Sequence, residues 1–380
     1  MSKLKTNTIQ HTGGSADNIT LDNSQNVTVE GNLTVDGTLT AAQRSNRNLI
    51  INGAMEVDQR NGGSSITPTA DGTYSVDRFK ARLNVASKYS LQKVADGPSG
   101  FNSSLKITSA AATTPGTNDY YQVNHCIEGY NHSPLDLGLS TAKQFTLSFW
   151  VKSSLTGTFG GAYSNSVGNK FYAWTYTISS ANTWEKKTIT ITGVTDGTWE
   201  RTNGAGLYIY WTLGAGSGVQ TSAGSWGTSF KRGPSGAVDV VATNAATWQI
   251  TGVQLEVGSV ATDFEHRSYG DELARCQRYY IQYDVNTGAT WTARMNGSSN
   301  SDGYIDFPVE MRADPTGSVS FNTAVCEQGS TGKTVSGISA TGYGKRMGHG
   351  RCSLSQSGTN GYASYNRLTG TSKLMFSAEL

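Results

Sequence analysis

Cysteine is scarce in this chain, and its placement excludes two kinds of small, cross-linked fold. The four cysteines, Cys126, Cys276, Cys326 and Cys352, are scattered along the sequence without paired spacing. A disulfide framework and a zinc site both require cysteines at short, recurring intervals. We therefore expect buried free thiols, no metal site and no cofactor.

Charge and long apolar runs are lacking as well. Charged residues make up 15% of the chain and the formal net charge is +2, so nothing points to nucleic acid or to an anionic membrane. No apolar run approaches the length of a membrane span, and no secretory signal follows Met1. We expect a protein made and folded in the cytoplasm, with no nucleic-acid partner and no membrane insertion.

Glycine and aromatic residues are abundant instead. The chain has 45 Gly, 18 Tyr and 8 Trp but only 7 Pro, and 36% of its residues are hydrophobic. Chains of this kind build strands and tight turns, and they have enough apolar residues to bury real cores. The composition predicts an all-β protein.

Many short strands separated by Gly, Asn and Ser turns are predicted between residues 44 and 268, a pattern typical of a β-sandwich. They include residues 145–151, 171–178, 187–191, 207–213 and 238–241. Residues 248–257 form a further alternating strand, in which a slip at Thr251-Gly252 predicts a β-bulge.

The segment after that strand predicts the only convincing helix. Ser268 stands three residues before Asp271, as at a helix N-cap. Leu273 and Cys276 belong to a short apolar stripe that can dock on a neighbouring surface but is too short to be stable alone. We predict a helical connector over residues 269–282.

Residues 283–380 return to Gly-punctuated strands, which predict a second, smaller β-sandwich. The predicted strands are residues 303–309, 318–322, 361–365 and 374–378. The turn-rich segments 287–302 and 326–353 are predicted to be loops at its distal end.

A six-residue pattern recurs near the N-terminus: VTVEGN at 27–32, LTVDGT at 33–38, and then LTA at 39–41. Each copy predicts a short strand and a turn at Gly. So few copies cannot bury their apolar side alone, so we predict that residues 17–41 of three chains wind into a trimeric shaft. A hairpin packed on the next domain is the alternative. The polar residues 1–16 are predicted to be an arm that orders on docking.

Three separate segments resemble one family of proteins. They are residues 48–56 (NLIINGAME) with Gln59 and Arg60, residues 261–280 (ATDFEHRSYGDELARCQRYY), and residues 307–313 (FPVEMRA). They are similar to segments of tail fibre and receptor-binding proteins of bacteriophages. The resemblance implies a jelly-roll domain, a place in the virion, an N-terminus that joins tail or baseplate proteins and a C-terminus presented to the host. It implies no active-site residue.

The predicted distal loops carry the candidate receptor-binding residues, because recognition usually lies on loops of a rigid scaffold. These residues are Trp291, Arg294, Tyr343, Lys345, Arg346, His349 and Arg351. The excess of Lys and Arg at 345–351 suits an acidic surface polysaccharide, and an ordinary solvated loop is the alternative.

Aromatic residues on predicted strands supply a second set of candidates for stacking on a glycan: Trp150, Tyr172, Trp174 and Tyr176. The last three lie two apart and so share one face of a strand, as Tyr208 and Tyr210 do. Aromatic faces can cover the apolar side of a sugar ring. Core packing or a subunit contact is the alternative, and we prefer it.

Two carboxylate pairs, Asp196 with Glu200 and Asp302 with Asp306, could in principle serve a glycosidase. Both pairs lie among turn residues, and the chain lacks the long period of a parallel β-helix that would form a carbohydrate cleft. We expect that the protein is not an enzyme.

Together these features predict an all-β, homotrimeric phage tail fibre that attaches the virion to host polysaccharide or lipopolysaccharide by multivalent, non-covalent binding. The predicted domains are an attachment arm and shaft (1–43), a jelly-roll sandwich resembling a carbohydrate-binding module (44–268), the helical connector (269–282) and the C-terminal sandwich (283–380). Two alternatives stay open: a purely structural head-fibre, collar or baseplate component, and a capsule-degrading depolymerase.

Overall fold

The computed structural model of the protein describes residues 8–9, 19–21, 27–29, 46–284, 290–320, 323–328, 331–342, 344–369 and 373–380. The chain forms two compact units, residues 1–45 and 46–380. In the first, three strands pair antiparallel in the order β1-β2-β3. They are β1 (Thr8–Ile9), β2 (Ile19–Leu21) and β3 (Val27–Val29). The repeat beyond Val29, and with it most of the predicted shaft, lies outside the described residues.

The second unit begins with a sandwich of two antiparallel sheets. Its strands are β4 (Phe79–Leu83), β5 (Tyr89–Val94), β6 (Ser104–Ser109), β7 (Tyr120–Glu128), β8 (Phe145–Ser153), β9 (Gly157–Asn165), β10 (Phe171–Ile178), β11 (Glu185–Ile191), β12 (Ala205–Ala215), β13 (Gln220–Thr221), β14 (Trp226–Gly227), β15 (Gly233–Pro234) and β16 (Thr247–Val257). One sheet has the order β14-β10-β9-β12-β7-β4, and the other has the order β11-β8-β16-β6-β5. β13 and β15 form a small parallel pair.

Alternating apolar side chains of both sheets fill the sandwich. β8 directs Phe145, Leu147 and Phe149 into the core, where they are fully buried. The Phe149 ring meets Trp211 of β12 edge to face, with centroids 6.0 Å apart. The all-β class and the β-sandwich predicted from the sequence are confirmed.

The predicted slip in β16 is a β-bulge. The register with β8 shifts between Thr251 and Gln254, and Gly252 has a φ of +61°. A Cβ at this position would lie 2.8 Å from the Phe101 ring and 3.0 Å from Trp150. Glycine is therefore required both for the backbone conformation and for space.

The described residues contain two short α-helices, α1 (Gly129–His132) and α2 (Tyr269–Gln277). α2 is the predicted helix, but it is shorter than the predicted connector 269–282, because it ends at Gln277 and a strand begins at Tyr280. Ser268 caps the helix because its Oγ accepts a hydrogen bond from the Asp271 backbone N–H at 3.2 Å. Cys276 is buried and packs with Ile51 and Val57 of the sandwich. Within the described residues, no helix is long and apolar enough to cross a membrane.

The C-terminal strands are β17 (Tyr280–Asp284), β18 (Thr290–Asn296), β19 (Asn300–Asp306), β20 (Thr316–Ser320), β21 (Thr323–Gln328), β22 (Thr331–Gly342), β23 (Met347–Leu354), β24 (Ala363–Thr369) and β25 (Lys373–Ser377). Six close into a barrel in the order β18-β19-β23-β22-β21-β24, and β17, β25 and β20 form a small sheet. This region is β, as predicted, but it is a closed barrel where we predicted a smaller sandwich.

Segments predicted as distal loops are mostly strands of this barrel. Residues 287–302 contain β18, and residues 326–353 contain most of β22 and β23. These segments are rich in Gly, Ser and Thr, which is typical of turns. Strands of a closed barrel can nevertheless have this composition, because only their inward positions need apolar side chains. Residues 238–241, predicted to be a strand, lead instead into the 3₁₀ turn Val240–Ala242.

Four buried charged residues join the sandwich to the end of β25, and we call them the junction cluster: Arg60, Asp77, Arg78 and Glu379. The Glu379 carboxylate pairs with Arg78 and, at 2.9 Å, with Arg60, which lies 3.2 Å from Asp77. All four are largely buried. The cluster fixes the C-terminal strands against the sandwich.

Candidate functional site

Three of the predicted receptor-binding residues come together on the outer surface of the barrel. In the strand register, Arg294 lies opposite Asp302, and Asp302 lies opposite Arg351. The neighbouring position on β19, Tyr304, lies opposite His349. Alternation directs all five side chains outward, while the residues between them face the interior. We call these five residues the barrel face.

An exposed aromatic side chain and a fixed cation lie side by side on the barrel face. Tyr304 is 53% exposed, and its ring centroid lies 5.6 Å from that of His349. Beside this pair, Arg351 Nε donates to Asp302 Oδ1 at 2.6 Å and Arg351 Nη2 donates to Oδ2 at 2.8 Å. A bidentate pair of this kind fixes the plane of the guanidinium group.

The electrostatics of the barrel face favour a charged, positive surface. Hydrogen bonding from Arg351, helped by Asn296, holds the pKa of Asp302 below its ordinary value although partial burial opposes the shift. Asp302 in turn raises the pKa of Arg351. His349 Nε2 lies 3.9 Å from Asp302 Oδ1. With Arg294, the face has one more positive than negative charge even when His349 is neutral.

The remaining predicted receptor-binding residues are placed differently. Lys345 and Arg346 lie in the turn before β23, and Arg346 forms an exposed ion pair with Glu310 at 2.8 Å. Trp291 is only 7% exposed and packs inside the barrel, so its prediction as a receptor contact is wrong: its position on β18 faces inward. Tyr343 lies outside the described residues.

The glycan-stacking alternatives lie mostly in the sandwich core. Trp174 is 2% exposed and Tyr176 is 6% exposed, and both rings pack on Phe149. These two predictions are wrong, because this face of β10 is turned to the second sheet. Tyr172, on the same face, is half-buried against Trp226 with centroids 5.3 Å apart. Trp150 is half-buried on the opposite face of β8, beside the bulge at Gly252.

The pair Tyr208 and Tyr210 lies on the outer face of the six-stranded sheet. The two rings stack with centroids 5.9 Å apart. Tyr210 is nevertheless buried, because Phe230 from the segment between β14 and β15 packs on it edge to face. A ligand could therefore reach Tyr208 but not the flat face of the pair.

One acid in each of the two carboxylate pairs has a pKa shifted away from that of a general acid. Hydrogen bonds from Thr202 lower the pKa of Glu200, and Arg351 lowers that of Asp302. A glycosidase needs the opposite, a carboxyl group whose pKa is raised. Asp196, the other acid of the candidate pair with Glu200, forms an ion pair with Lys170 at 2.7 Å. The part of the chain that the structure describes contains no group of three or more His, Cys, Asp or Glu residues that could hold a metal ion.

Comparison with known proteins gives matches in structure alone. No family model matches the sequence, and no curated protein matches it. An enzymatically active domain of tailspike protein 4 of bacteriophage CBA120 matches with 13% identity and a TM-score of 0.30, over 56% of this chain and 22% of that domain's chain. A putative sugar-binding protein of Bacteroides thetaiotaomicron matches with 14% identity and a TM-score of 0.33, over 56% of this chain and 100% of its own. A family 11 carbohydrate-binding module of Clostridium thermocellum matches with 13% identity and a TM-score of 0.26, over 52% and 98%. TM-scores of this size do not establish a common fold, so the β-sandwich assignment stands on the sheets described above.

Proposed function

We propose that the protein binds surface polysaccharide through the barrel face, as the attachment part of a phage fibre. The observation that carries this proposal is the exposed Tyr304–His349 pair beside an arginine that Asp302 holds in a fixed plane. The placement in a phage particle is supported by the resemblance of three sequence segments to tail fibre proteins.

The chemistry of the barrel face suits a sugar. An aromatic ring can cover the apolar side of a pyranose. Arg351 uses two N–H groups on Asp302, and a guanidinium carries five, so the others can donate to hydroxyl or carboxylate oxygens of a ligand. Arg294 and Arg351 favour an acidic polysaccharide, because the face has an excess of positive charge.

One such site binds weakly, and the fibre compensates by multiplicity. Three copies on one trimer, and several fibres on one particle, raise avidity by about two to four orders of magnitude without any new contact. We propose a non-enzymatic role, supported by the lowered pKa values of Glu200 and Asp302.

The test is binding of the full chain to a panel of purified bacterial capsular polysaccharides and lipopolysaccharides by biolayer interferometry. We expect Tyr304→Ala and Arg351→Gln each to weaken binding to the best acidic polysaccharide at least tenfold, since each removes one of the two features that define the face. Binding should also weaken as salt concentration rises.

The matched control is Tyr130→Ala, because Tyr130 is a tyrosine of α1 with 59% exposure on the sandwich. It should bind like the unchanged protein. Binding that survives both barrel-face substitutions would contradict the proposed site. A folded protein that binds no polysaccharide would favour a structural virion component, and release of reducing ends would favour a depolymerase.

A further inference from the structure

A cavity of about 350 Å³ opens on the surface of the sandwich, remote in sequence from the barrel face. Its lining includes Glu56, Asp58, Lys93, Ser103 and Tyr269. We call it the sandwich cavity. Its volume lies at the lower end of the range for small-molecule sites, roughly 300–1,000 Å³, so it suits a single small ligand and not a polymer.

The polar groups of the sandwich cavity are only partly used by the protein. Asp58 is committed to a turn, because its carboxylate accepts from the backbone N–H of Asn61 at 3.0 Å and of Gly63 at 2.7 Å. Lys93 donates to the backbone carbonyl of Glu56. The Glu56 carboxylate receives one long hydrogen bond, from Asn102 at 3.4 Å. Since a carboxylate has about four acceptor positions and an ammonium group three donors, Glu56 and Lys93 both keep capacity for a ligand.

An aromatic side chain lies at the edge of the sandwich cavity. Tyr269 is the first residue of α2 and is 56% exposed, and the Ser268 cap fixes the backbone on which it stands. Gly62 forms part of the wall, and the space beside it is open, because a Cβ built on Gly62 would have no atom within 4 Å. The ligand can therefore approach bare backbone there.

Glu56, Lys93 and Tyr269 together determine which class of ligand the sandwich cavity can bind. An anion is disfavoured because two carboxylates line the cavity. A metal ion is disfavoured because Lys93 lies in the wall and because, among the described residues, no group of three or more candidate ligands exists. A neutral polyhydroxylated molecule fits, since it can accept from Lys93, donate to Glu56 and place its apolar side on Tyr269.

We propose that the sandwich cavity binds one neutral sugar residue, as a second site that does not depend on the barrel face. Glu56 and Lys93 would hydrogen-bond its hydroxyl groups, and the Tyr269 ring would cover one side of it. A fibre with both sites would recognise two different parts of a surface polysaccharide, one acidic and one neutral.

The experiment is saturation-transfer-difference NMR on the full chain. The probes are methyl glycosides of glucose, mannose, galactose and N-acetylglucosamine, with methyl glucuronide as the anionic comparison. We expect at least one neutral glycoside to bind with a Kd on the order of millimolar, which corresponds to about −4 kcal/mol. Tyr269→Ala and Glu56→Gln should each weaken its binding at least fivefold, and Tyr269→Phe should retain most of it.

The controls separate this site from the barrel face. Tyr304→Ala should leave binding of the neutral glycoside unchanged although it weakens binding of the polysaccharide, and Tyr130→Ala should leave both unchanged. The proposal is overturned if no neutral glycoside binds, or if binding is lost in Tyr304→Ala but kept in Tyr269→Ala. Both cavity substitutions should fold, because Tyr269 is exposed and the Glu56 side chain makes one long hydrogen bond, and the melting temperature of each variant checks this.

Discussion

A single carboxyl group in the junction cluster couples the stability of the protein to pH. Asp77 is almost completely buried, and burial raises its pKa to about 6 although Arg60 and Gln59 oppose the shift. Glu379 responds in the opposite way: Arg78 and Arg60 outweigh its burial and lower its pKa. The two acids lie in one cluster, yet the protein makes Asp77 harder to ionise and Glu379 easier to ionise than an ordinary carboxyl group.

The sign of the Asp77 effect follows from linkage. Its folded pKa of about 6 lies above the unfolded value of 3.8, so between these values the folded state binds more protons and stability falls as pH rises. We expect Asp77→Asn to lose this dependence. From pH 4 to pH 7 the unchanged protein should lose about 2–3 kcal/mol of unfolding free energy that the variant does not lose. The stability of the variant relative to the unchanged protein should therefore rise by that amount. Urea denaturation across that range measures it, and a difference that is constant with pH would refute the assignment.

The residues of the candidate site could be predicted from the sequence only in part. Alternation predicted that Tyr172, Trp174 and Tyr176 share a face, but it could not say that this face is turned to the core, because an offset of one residue exchanges the two sides. The Asp302–Arg351 pair joins residues 49 positions apart, a distance along the chain that no local pattern spans. Tyr304 is not among the predicted receptor-binding residues because it lies in the predicted strand 303–309, and we placed those candidates in the predicted distal loops 287–302 and 326–353.

At the level of elements, strands with clear apolar alternation were predicted well. β10 (Phe171–Ile178) has the predicted ends, the bulge in β16 is at the predicted glycine, and α2 begins at the predicted cap. The barrel strands were missed where small residues dominate. Gly350 is an example, because it lies in the predicted loop 326–353 but belongs to β23. A Cβ there would lie 3.1 Å from the Trp291 ring, so the glycine makes room inside a barrel and does not mark a turn.

The short N-terminal strands lead to a prediction about the oligomeric state of the protein. A strand of two or three residues cannot bury an apolar side alone, so we expect the full chain to be a trimer and a chain shortened to residues 44–380 to dissociate. Light scattering of both proteins gives their masses in solution. A full-length monomer would contradict the shaft, and a shortened chain that stays trimeric would place the trimer contact in residues 44–380.

Across the whole of residues 46–380, the junction cluster determines whether the barrel and the sandwich behave as one body. Glu379 forms ion pairs with both Arg60 and Arg78, and Arg78 also donates to the Cys126 carbonyl at 2.7 Å. Arg312 adds a link at the same place, donating to the carbonyls of Ala378 at 2.7 Å and Glu379 at 3.0 Å. The barrel face is thereby held on a rigid support, which lowers the entropic cost of binding.

Removing the carboxylate of Glu379 should separate the two parts. Glu379→Gln removes the carboxylate that pairs with the buried Arg78 and leaves Arg60 paired with Asp77. Breaking a buried ion pair in this way typically costs about 3–5 kcal/mol. We expect calorimetry to show two thermal transitions in place of one. Glu310→Gln is the matched control, because it breaks the exposed pair with Arg346, and it should cost less than about 1 kcal/mol. An equal effect of the two substitutions would contradict the role of the cluster.

The central claim is that the barrel face meets the polysaccharide, and a crystal structure of the full chain bound to an oligosaccharide tests it most directly. The oligosaccharide should be a fragment of the polysaccharide that binds best. We predict a sugar ring against Tyr304, with an acidic or hydroxyl group in contact with Arg351. A fragment bound elsewhere, with Tyr304 and Arg351 bare, would contradict the account.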